Sequence, residues 1–301
     1  MQSVDKQQNL GLGINAGIGA SLIWGTYPLW YRPLSHIHTY ELLANRIIWS
    51  VVFLLPLLFL VFRKGAEFRS IIPDLSKWPP ILVCATILAI WWFTYMYCVT
   101  NNRVLEAGLG YYLGPIFTVA MGVVFLRERI DAWSTIAVAV SFAGIGYYAV
   151  STQGKFPFFA VTLGLCYAGY TVFKRARINF DSQVSVALEL LALLPAAFCI
   201  LAHYVHAGSI QTLHSTTAMD NVLLFMLGVI NVLPMWWYTI ASRNVPTVPM
   251  SFVQYISPTC NFLLAVFWFA EPFSKQSLIM FLMDWTGVGI YTARSAYKAG
   301  T

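Results

Sequence analysis

The chain has 301 residues, of which 58% are hydrophobic and 10% are charged, and its formal net charge is +6. Soluble proteins usually carry about 25% charged residues, so this composition excludes an ordinary soluble domain and indicates a protein embedded in a lipid bilayer. The basic residues are scattered singly between apolar runs, a pattern that fits the loops of a membrane protein and argues against a nucleic-acid partner.

Ten apolar runs follow one another along the chain, each close to the length of about 20 residues that a membrane-spanning helix needs. They lie at roughly residues 10–30, 41–62, 80–100, 106–126, 132–151, 157–174, 183–205, 221–242, 248–270 and 276–297. Most connections are short, and the two longest, residues 63–79 and 203–221, are polar. The sequence therefore predicts an all-α polytopic membrane protein with ten transmembrane helices.

The distribution of lysine and arginine predicts the orientation of these spans. With the N-terminus inside, thirteen Lys and Arg residues fall in cytoplasmic segments, and four, Arg32, Arg103, Lys155 and Lys275, fall on the opposite side. This bias obeys the positive-inside rule. Both termini are therefore predicted to be cytoplasmic.

A short pattern occurs twice, 143 positions apart. Residues 111–115 (YYLGP) are followed by Glu128 thirteen positions after the proline, and residues 254–258 (QYISP) are followed by Glu271 after the same interval. A duplication inside a very apolar chain is typical of carriers built from two halves with one substrate site at their interface.

The repeat and the number of spans together predict an inverted topology. Five spans per half is an odd number, so the two copies, residues 1–151 and 152–301, must enter the membrane in opposite directions. Pro115 and Pro258 occupy matched positions, and each removes a backbone hydrogen bond within its span. We expect these prolines to be hinges.

Four segments carry a family resemblance that extends over nearly the whole chain. They are Trp24-Gly25, residues 45–50 (NRIIWS), residues 106–111 (EAGLGY) and residues 254–259 (QYISPT). In these segments the chain resembles RarD proteins of the EamA group in the drug/metabolite transporter superfamily. The resemblance implies a ten-helix carrier of the bacterial inner membrane that works by alternating access, while leaving the substrate open.

Charged residues at membrane depth are costly and are functional candidates by default. Arg46 lies in the second predicted span, and Glu189, 143 positions on, lies in the seventh. Opposite charges at equivalent positions suggest a polar cavity that binds the carboxylate and the amine of a zwitterion. The alternative is that each side chain extends to its nearest interface and only fixes its helix.

Two further acids have competing interpretations. Asp284, in the tenth predicted span, is a candidate proton-coupling group together with Glu189, or else a structural acid that hydrogen-bonds to a neighbouring helix. Glu106 opens the fourth span, where its charge favours a helix start or forms part of an outer gate.

Aromatic and amide side chains complete the predicted substrate site. Aromatic faces can stack on a planar ligand or hold a cation, although interfacial belts and lipid-facing packing use the same residues. The candidates, besides Arg46 and Glu189, are Trp24, Tyr27, Trp91, Trp92, Tyr95, Asn101, Tyr111, Tyr112, Tyr170, Trp236, Trp237, Gln254 and Tyr255.

These features favour a secondary transporter of a small organic metabolite, such as an amino acid or another zwitterionic or aromatic solute. An exporter of amphipathic drug-like compounds is the main alternative, and a channel is a weaker one. An enzyme is not expected, because the five histidines lie in or beside external loops and Asp284 has no acidic partner on its helix. The five cysteines lie in apolar runs without CxxC spacing, so no metal or other cofactor is expected. A proton or a counter-transported solute is a candidate partner, and the protein is expected to be a monomer or homodimer.

Overall fold

The computed structural model describes residues 2–127, 131–152, 156–214, 217–245 and 253–300. Within these ranges the chain is helical and holds no strand, which confirms the predicted all-α class. The helices are α1 Gln2–Gly25, α2 Tyr27–Tyr31, α3 Thr39–Pro56, α4 Gly65–Ile71, α5 Trp78–Thr100, α6 Val104–Leu126, α7 Ala132–Ser151, α8 Phe158–Arg177, α9 Ser182–His206, α10 Gln211–His214, α11 Ala218–Asn244, α12 Ile256–Leu263 and α13 Lys275–Gly300.

Six helical segments of the described chain are long and apolar enough to cross a membrane. They are Thr39–Val61, Leu75–Thr100, Val104–Leu126, Ala132–Ser151, Ser182–His206 and Ala218–Ala241, and Ile256–Trp268 is a shorter apolar helix. These segments agree with predicted spans two to five, seven and eight. The full set of ten spans and its division into two repeats stay predictions.

Two short helices lie in the connections that the sequence suggested only as polar loops. Helix α4 lies between the second and third predicted spans, and α10 between the seventh and eighth. The start of α10 is fixed from a distance, because the Glu41 carboxylate accepts the backbone N–H groups of Gln211 and Thr212 at 3.0 Å each. Such a cap satisfies donors that a helix start leaves unpaired.

The two copies of the repeated pattern end with the same unusual backbone conformation. Arg127 and Ala270, which are 143 positions apart, have φ angles of 54° and 49°. Left-handed backbone costs a non-glycine residue roughly 1–2 kcal/mol, so it is retained only where the surrounding structure requires it. Glu271 follows Ala270 directly, whereas Glu128 lies outside the described residues.

The chain forms two compact units, each drawn from both halves of the sequence. Unit 1 comprises Met1–Pro28, Asn102–Gly169 and Leu233–Thr301, and unit 2 comprises Leu29–Asn101 and Tyr170–Val232.

In unit 2, α9 packs against both α3 and α5, which also contact each other. Buried apolar side chains such as Leu42, Ile81 and Leu188 form its interior. Because burying a polar group costs free energy unless it is hydrogen-bonded, the buried polar side chains of this unit are the informative ones.

In unit 1, α7 packs along α13, and α12 packs against α1 and α6. Small residues allow these close approaches. A Cβ atom added at Gly287 would lie 2.5 Å from the Ser141 hydroxyl, and one added at Gly25 would lie 2.6 Å from Cβ of Cys260. Membrane helices commonly pack through small residues in this way.

Candidate functional site

Arg46 is buried inside unit 2, with 3% of its surface exposed. Its Nη2 donates a hydrogen bond of 2.7 Å to Oδ1 of Asn231, whose amide in turn donates to the Ser50 hydroxyl at 2.9 Å. The guanidinium carbon lies 4.0 Å from the ring centroid of Trp92 and 5.7 Å from that of Tyr31. A desolvated cation over an aromatic ring gains about 2 kcal/mol, so the contacts with Trp92 and Asn231 stabilise Arg46 inside unit 2.

Glu189 is fully buried in the same unit and belongs to a polar cluster with three partners. Its carboxylate accepts hydrogen bonds from Tyr170 at 2.8 Å, from Lys174 at 3.0 Å and from the Ser185 hydroxyl. Lys174 also donates to the Tyr170 hydroxyl at 2.7 Å. The carboxylate is therefore an ionic acceptor that is satisfied by an ammonium and two hydroxyls.

Arg46 and Glu189 thus each have a partner of their own. Arg46 lies five positions after Glu41, whose carboxylate binds the start of α10, and Glu189 lies eight positions after Asp181, which forms an ion pair with Lys64. Arg46 and Glu189 each lie about two turns from the start of their helices, α3 and α9.

The aromatic residues of α5 connect these two clusters. Trp92 lies under Arg46, and the neighbouring Trp91 has its ring centroid 6.1 Å from that of Tyr170, the phenol that donates to Glu189. Tyr95 is buried and meets Tyr31 edge-on with 6.4 Å between centroids. Successive tryptophans on one helix therefore serve different neighbours, as expected for adjacent positions.

A polar chain in unit 1 contains several of the predicted residues. Gln254 donates a hydrogen bond of 2.7 Å to the Tyr238 hydroxyl, and Tyr167 donates to Oε1 of Gln254 at 3.5 Å. Trp24 packs on Tyr238 with centroids 5.5 Å apart. Trp237 packs against the open face of Gly19, where an added Cβ would lie 2.7 Å from its ring.

Tyr112 and Tyr255, which the repeat relates, are in direct contact in unit 1. Their rings stack with centroids 6.1 Å apart and planes inclined by 13°. The Tyr112 hydroxyl is 2.6 Å from the Thr259 hydroxyl, and its ring meets Trp285 edge-on at 5.8 Å. Aromatic pairs of this kind add about 0.5–1.5 kcal/mol beyond the burial of their area.

The remaining predicted residues lie in other settings. Asn101 is exposed at the end of α5, where its amide donates to the Tyr97 carbonyl at 2.9 Å. Tyr27 is buried, and Tyr111 and Trp236 are half-buried on α6 and α11. Pro115 lies inside α6, which continues through it, and Pro258 lies inside α12.

Asp284 is 1% exposed on α13, and neither of its carboxyl oxygens has a hydrogen-bond partner within the described ranges. The Ser141 hydroxyl on α7 is also buried without one. A buried polar group without a partner is costly, so these two side chains stand out where α7 packs along α13. Within the described residues, no group of His, Cys, Asp and Glu side chains could hold a metal ion.

Several residues of these clusters were not singled out from the sequence. Lys174 was counted only as a cytoplasmic charge, although its position near the end of an apolar run allows it to reach inward to Glu189. Asn231 carried a weaker signal, since its amide is a polar group within an apolar run. Their partners depend on how distant helices pack.

Charged residues outside the candidate spans form ion pairs with one another in unit 2. Lys64 pairs with Asp181 at 3.0 Å and with Glu67 at 3.3 Å. The hydrogen bond to Asp181 is the main reason why the pKa of Lys64 is raised. Burial alone would raise the pKa of Asp181, but hydrogen bonds from Lys64 and the backbone N–H of Gln183 lower it below its ordinary value. Both groups are therefore charged at neutral pH.

Comparison with known proteins identifies relatives over almost the full length. Residues 11–149 match the EamA-like transporter family. An uncharacterized transporter of Vibrio cholerae serotype O1 is 31% identical over 98% of this chain and 96% of its own length. The uncharacterized transporter YojE of Bacillus subtilis is 29% identical over 90% of each chain, and protein RarD of Escherichia coli is 27% identical over 95% of each. A solved crystal structure with 18% identity covers 92% of this chain and 96% of its own, with a TM-score of 0.55.

Proposed function

Because the chain belongs to the EamA-like transporter family, we propose that this multi-pass membrane protein is a secondary transporter that works by alternating access. Its substrate is a small organic metabolite, an amino acid or another zwitterionic or aromatic solute. Transport takes place across the bacterial inner membrane, with both termini in the cytoplasm and ten spans arranged as two inverted repeats.

The observation that carries the proposed substrate class is Arg46. A guanidinium that is buried in a candidate membrane span is expensive, and this one lies 4.0 Å above the Trp92 ring with Asn231 as its hydrogen-bond partner. A planar, always charged fork next to an aromatic face is suited to a carboxylate on an apolar or aromatic body. The Asn231 amide and the Trp92 ring that contact the guanidinium are both neutral groups.

Two matched pairs support the inverted repeat. Tyr112 and Tyr255 stack on each other, and Arg127 and Ala270 share the left-handed conformation. Each pair is related by the same offset of 143 positions. Equal backbone conformations at equivalent positions are expected when one ancestral segment has been duplicated. Pro115 and Pro258, which follow Tyr112 and Tyr255 by three positions, remain the proposed hinges.

Glu189 and Asp284 are the proposed proton-coupling groups. Glu189 forms an ion pair with Lys174 and accepts hydrogen bonds from two hydroxyls. Asp284, by contrast, is a buried carboxyl whose oxygens lack hydrogen-bond partners within the described ranges. Proton-coupled carriers place such acids at membrane depth. If Asp284 carries the coupling proton, Asp284→Asn should leave exchange intact while removing accumulation driven by a pH gradient.

The test is counterflow of radiolabelled amino acids into liposomes that contain the purified protein. Arg46→Lys keeps the charge but loses the planar fork over Trp92, so uptake should fall about tenfold or more. Arg69→Lys is the matched control, because Arg69 also lies over a ring, Phe59 at 5.5 Å, but outside the candidate spans.

Other outcomes separate the competing functions. Wild-type uptake in Arg46→Lys would contradict the proposed role of Arg46. Retained efflux of amphipathic dyes in Arg46→Glu, with no exchange of any zwitterion by the wild type, would favour the drug exporter. A channel would show no acceleration of uptake by solute on the opposite side.

A further inference from the structure

A cavity of about 140 Å³ opens in unit 1 at the beginning of α6. A cavity of about 150 Å³ is large enough to bind benzene, so this one accepts a small organic molecule. All of its lining residues belong to unit 1, whereas Arg46 and Glu189 belong to unit 2. The sequence predicts this end of α6 to face the outside.

The polar part of the lining contains charges of both signs. Arg103 and Glu106 form an ion pair of 2.9 Å, with side chains that are 47% and 28% exposed. The guanidinium also lies 5.0 Å from the Phe159 ring centroid. The pair is partly exposed, and exposed pairs contribute only about 0.2–1 kcal/mol, so a ligand with two charges of its own can compete with it.

Glu271 supplies a second carboxylate to the same cavity. Its oxygens accept the backbone N–H groups of Val104 and Leu105 at 2.8 and 2.9 Å, which fixes the carboxylate at the start of α6. Each carboxylate oxygen can accept more than one hydrogen bond. The Glu271 carboxylate is therefore a fixed negative charge in the same lining as Glu106.

The apolar part of the lining comes from α6 and α13. Leu109, Met280 and Phe281 are each at most 5% exposed and line the cavity together with Leu105. An apolar wall with a few fixed polar groups is the usual construction of a small-molecule site.

We propose that this cavity is a separate outer binding site for a small zwitterion with an apolar body, such as an aliphatic or aromatic amino acid. Its ammonium binds between Glu106 and Glu271, its carboxylate replaces Glu106 on Arg103, and its side chain contacts the Leu109 wall. The ligand class rests on the proposed function, while the location rests on the cavity. A phospholipid headgroup with an ammonium and a phosphate has the same pair of charges, so the experiment includes both sources.

The experiment measures binding of leucine and phenylalanine to the full-length protein in nanodiscs of phosphatidylglycerol by calorimetry. Arg103→Gln and Glu106→Gln should each raise Kd about ten- to hundredfold, because each removes a charge-assisted hydrogen bond. The double variant should lose no more binding free energy than the sum of the losses in the two single variants, since both charges serve one ligand. Lys275→Gln, which removes an exposed charge on the same predicted side, should leave Kd unchanged.

Analogues locate the two charges of the ligand. Phenethylamine, which lacks the carboxylate, should bind Arg103→Gln at least as tightly as the wild type, and 3-phenylpropionate should bind Glu106→Gln at least as tightly, because each variant frees the charge that the analogue needs from the Arg103–Glu106 ion pair. Arg103→Lys and Glu106→Asp, which keep the charges, should restore part of the affinity and so exclude misfolding as the cause.

The outcomes distinguish this site from the proposed function. Unchanged Kd in both Gln variants, together with loss of transport in Arg46→Lys, would overturn the outer site alone. Weakened binding in these variants of a protein that exchanges no solute would support the site and overturn the transport proposal. Competition by phosphatidylethanolamine that Arg103→Gln and Glu106→Gln abolish would support the site with the lipid as its ligand, and no binding of any probe would overturn it.

Discussion

At the scale of single residues, the informative groups are buried charges with partners. Lys174 extends from the end of α8 to Glu189, with 14% of its side chain exposed while that of Glu189 is fully buried. Removing one partner of a buried ion pair costs about 3–5 kcal/mol, because the other charge is left uncompensated. Replacing both costs much less.

This difference gives a prediction for stability. Glu189→Gln and Lys174→Met should each lower the free energy of unfolding by about 3 kcal/mol, whereas the double variant should lose clearly less than the sum. Thermal unfolding of the purified protein in one detergent checks this double-mutant cycle. Lys64→Met, which affects a more exposed pair, is the control, with an expected loss of about 1 kcal/mol or less. Additive effects at Glu189 and Lys174 would show that the two charges are not coupled.

At the scale of helices, glycines determine which pairs approach closely. An added Cβ at Gly228 on α11 would lie 2.5 Å from the backbone oxygen of Trp49 on α3. At Gly146 on α7, by contrast, an added Cβ meets nothing within 4 Å. Both positions are glycines in a helix, so the same substitution at each position separates the effect of packing from the effect of helix propensity.

Gly228→Ala should therefore destabilise the protein by about 1–3 kcal/mol, because α3 and α11 must move apart. Gly146→Ala should be neutral or stabilising by up to about 1 kcal/mol, since alanine is the better helix former. Thermal midpoints of the two variants measured side by side check the prediction. Equal midpoints would contradict a close contact at Gly228.

At the scale of the whole molecule, the orientation in the membrane is the main quantity to measure. The sequence predicts Lys77 to lie inside and Lys275 outside; Lys275 is exposed, and 42% of the Lys77 side chain is exposed. In a Cys199→Ser background, Lys275→Cys should react with a membrane-impermeant thiol reagent on intact cells. Lys77→Cys should react only after the cells are permeabilised. The reverse pattern would place both termini outside.

Composition and patterning predicted the helical class, six of the spans and the buried charges, because hydropathy and the cost of intramembrane charge are local properties of the sequence. The partners were not predictable in the same way. Arg46 donates a hydrogen bond to Asn231, which is 185 positions away in the sequence, and Glu41 accepts one from the start of α10, which is 170 positions away. Such contacts depend on which helices pack together, which a periodic pattern does not specify.

The cap at the start of α6 has a consequence for biosynthesis. Val104 and Leu105 donate to Glu271, a residue that is translated 167 and 166 positions later. When α6 first enters the bilayer, these two N–H groups must remain hydrated, because nothing in the nascent chain can yet replace water as their acceptor. The beginning of this helix is therefore completed only when about nine tenths of the protein has been made, and a ribosome that stalls before residue 271 leaves these two donors without the Glu271 acceptor.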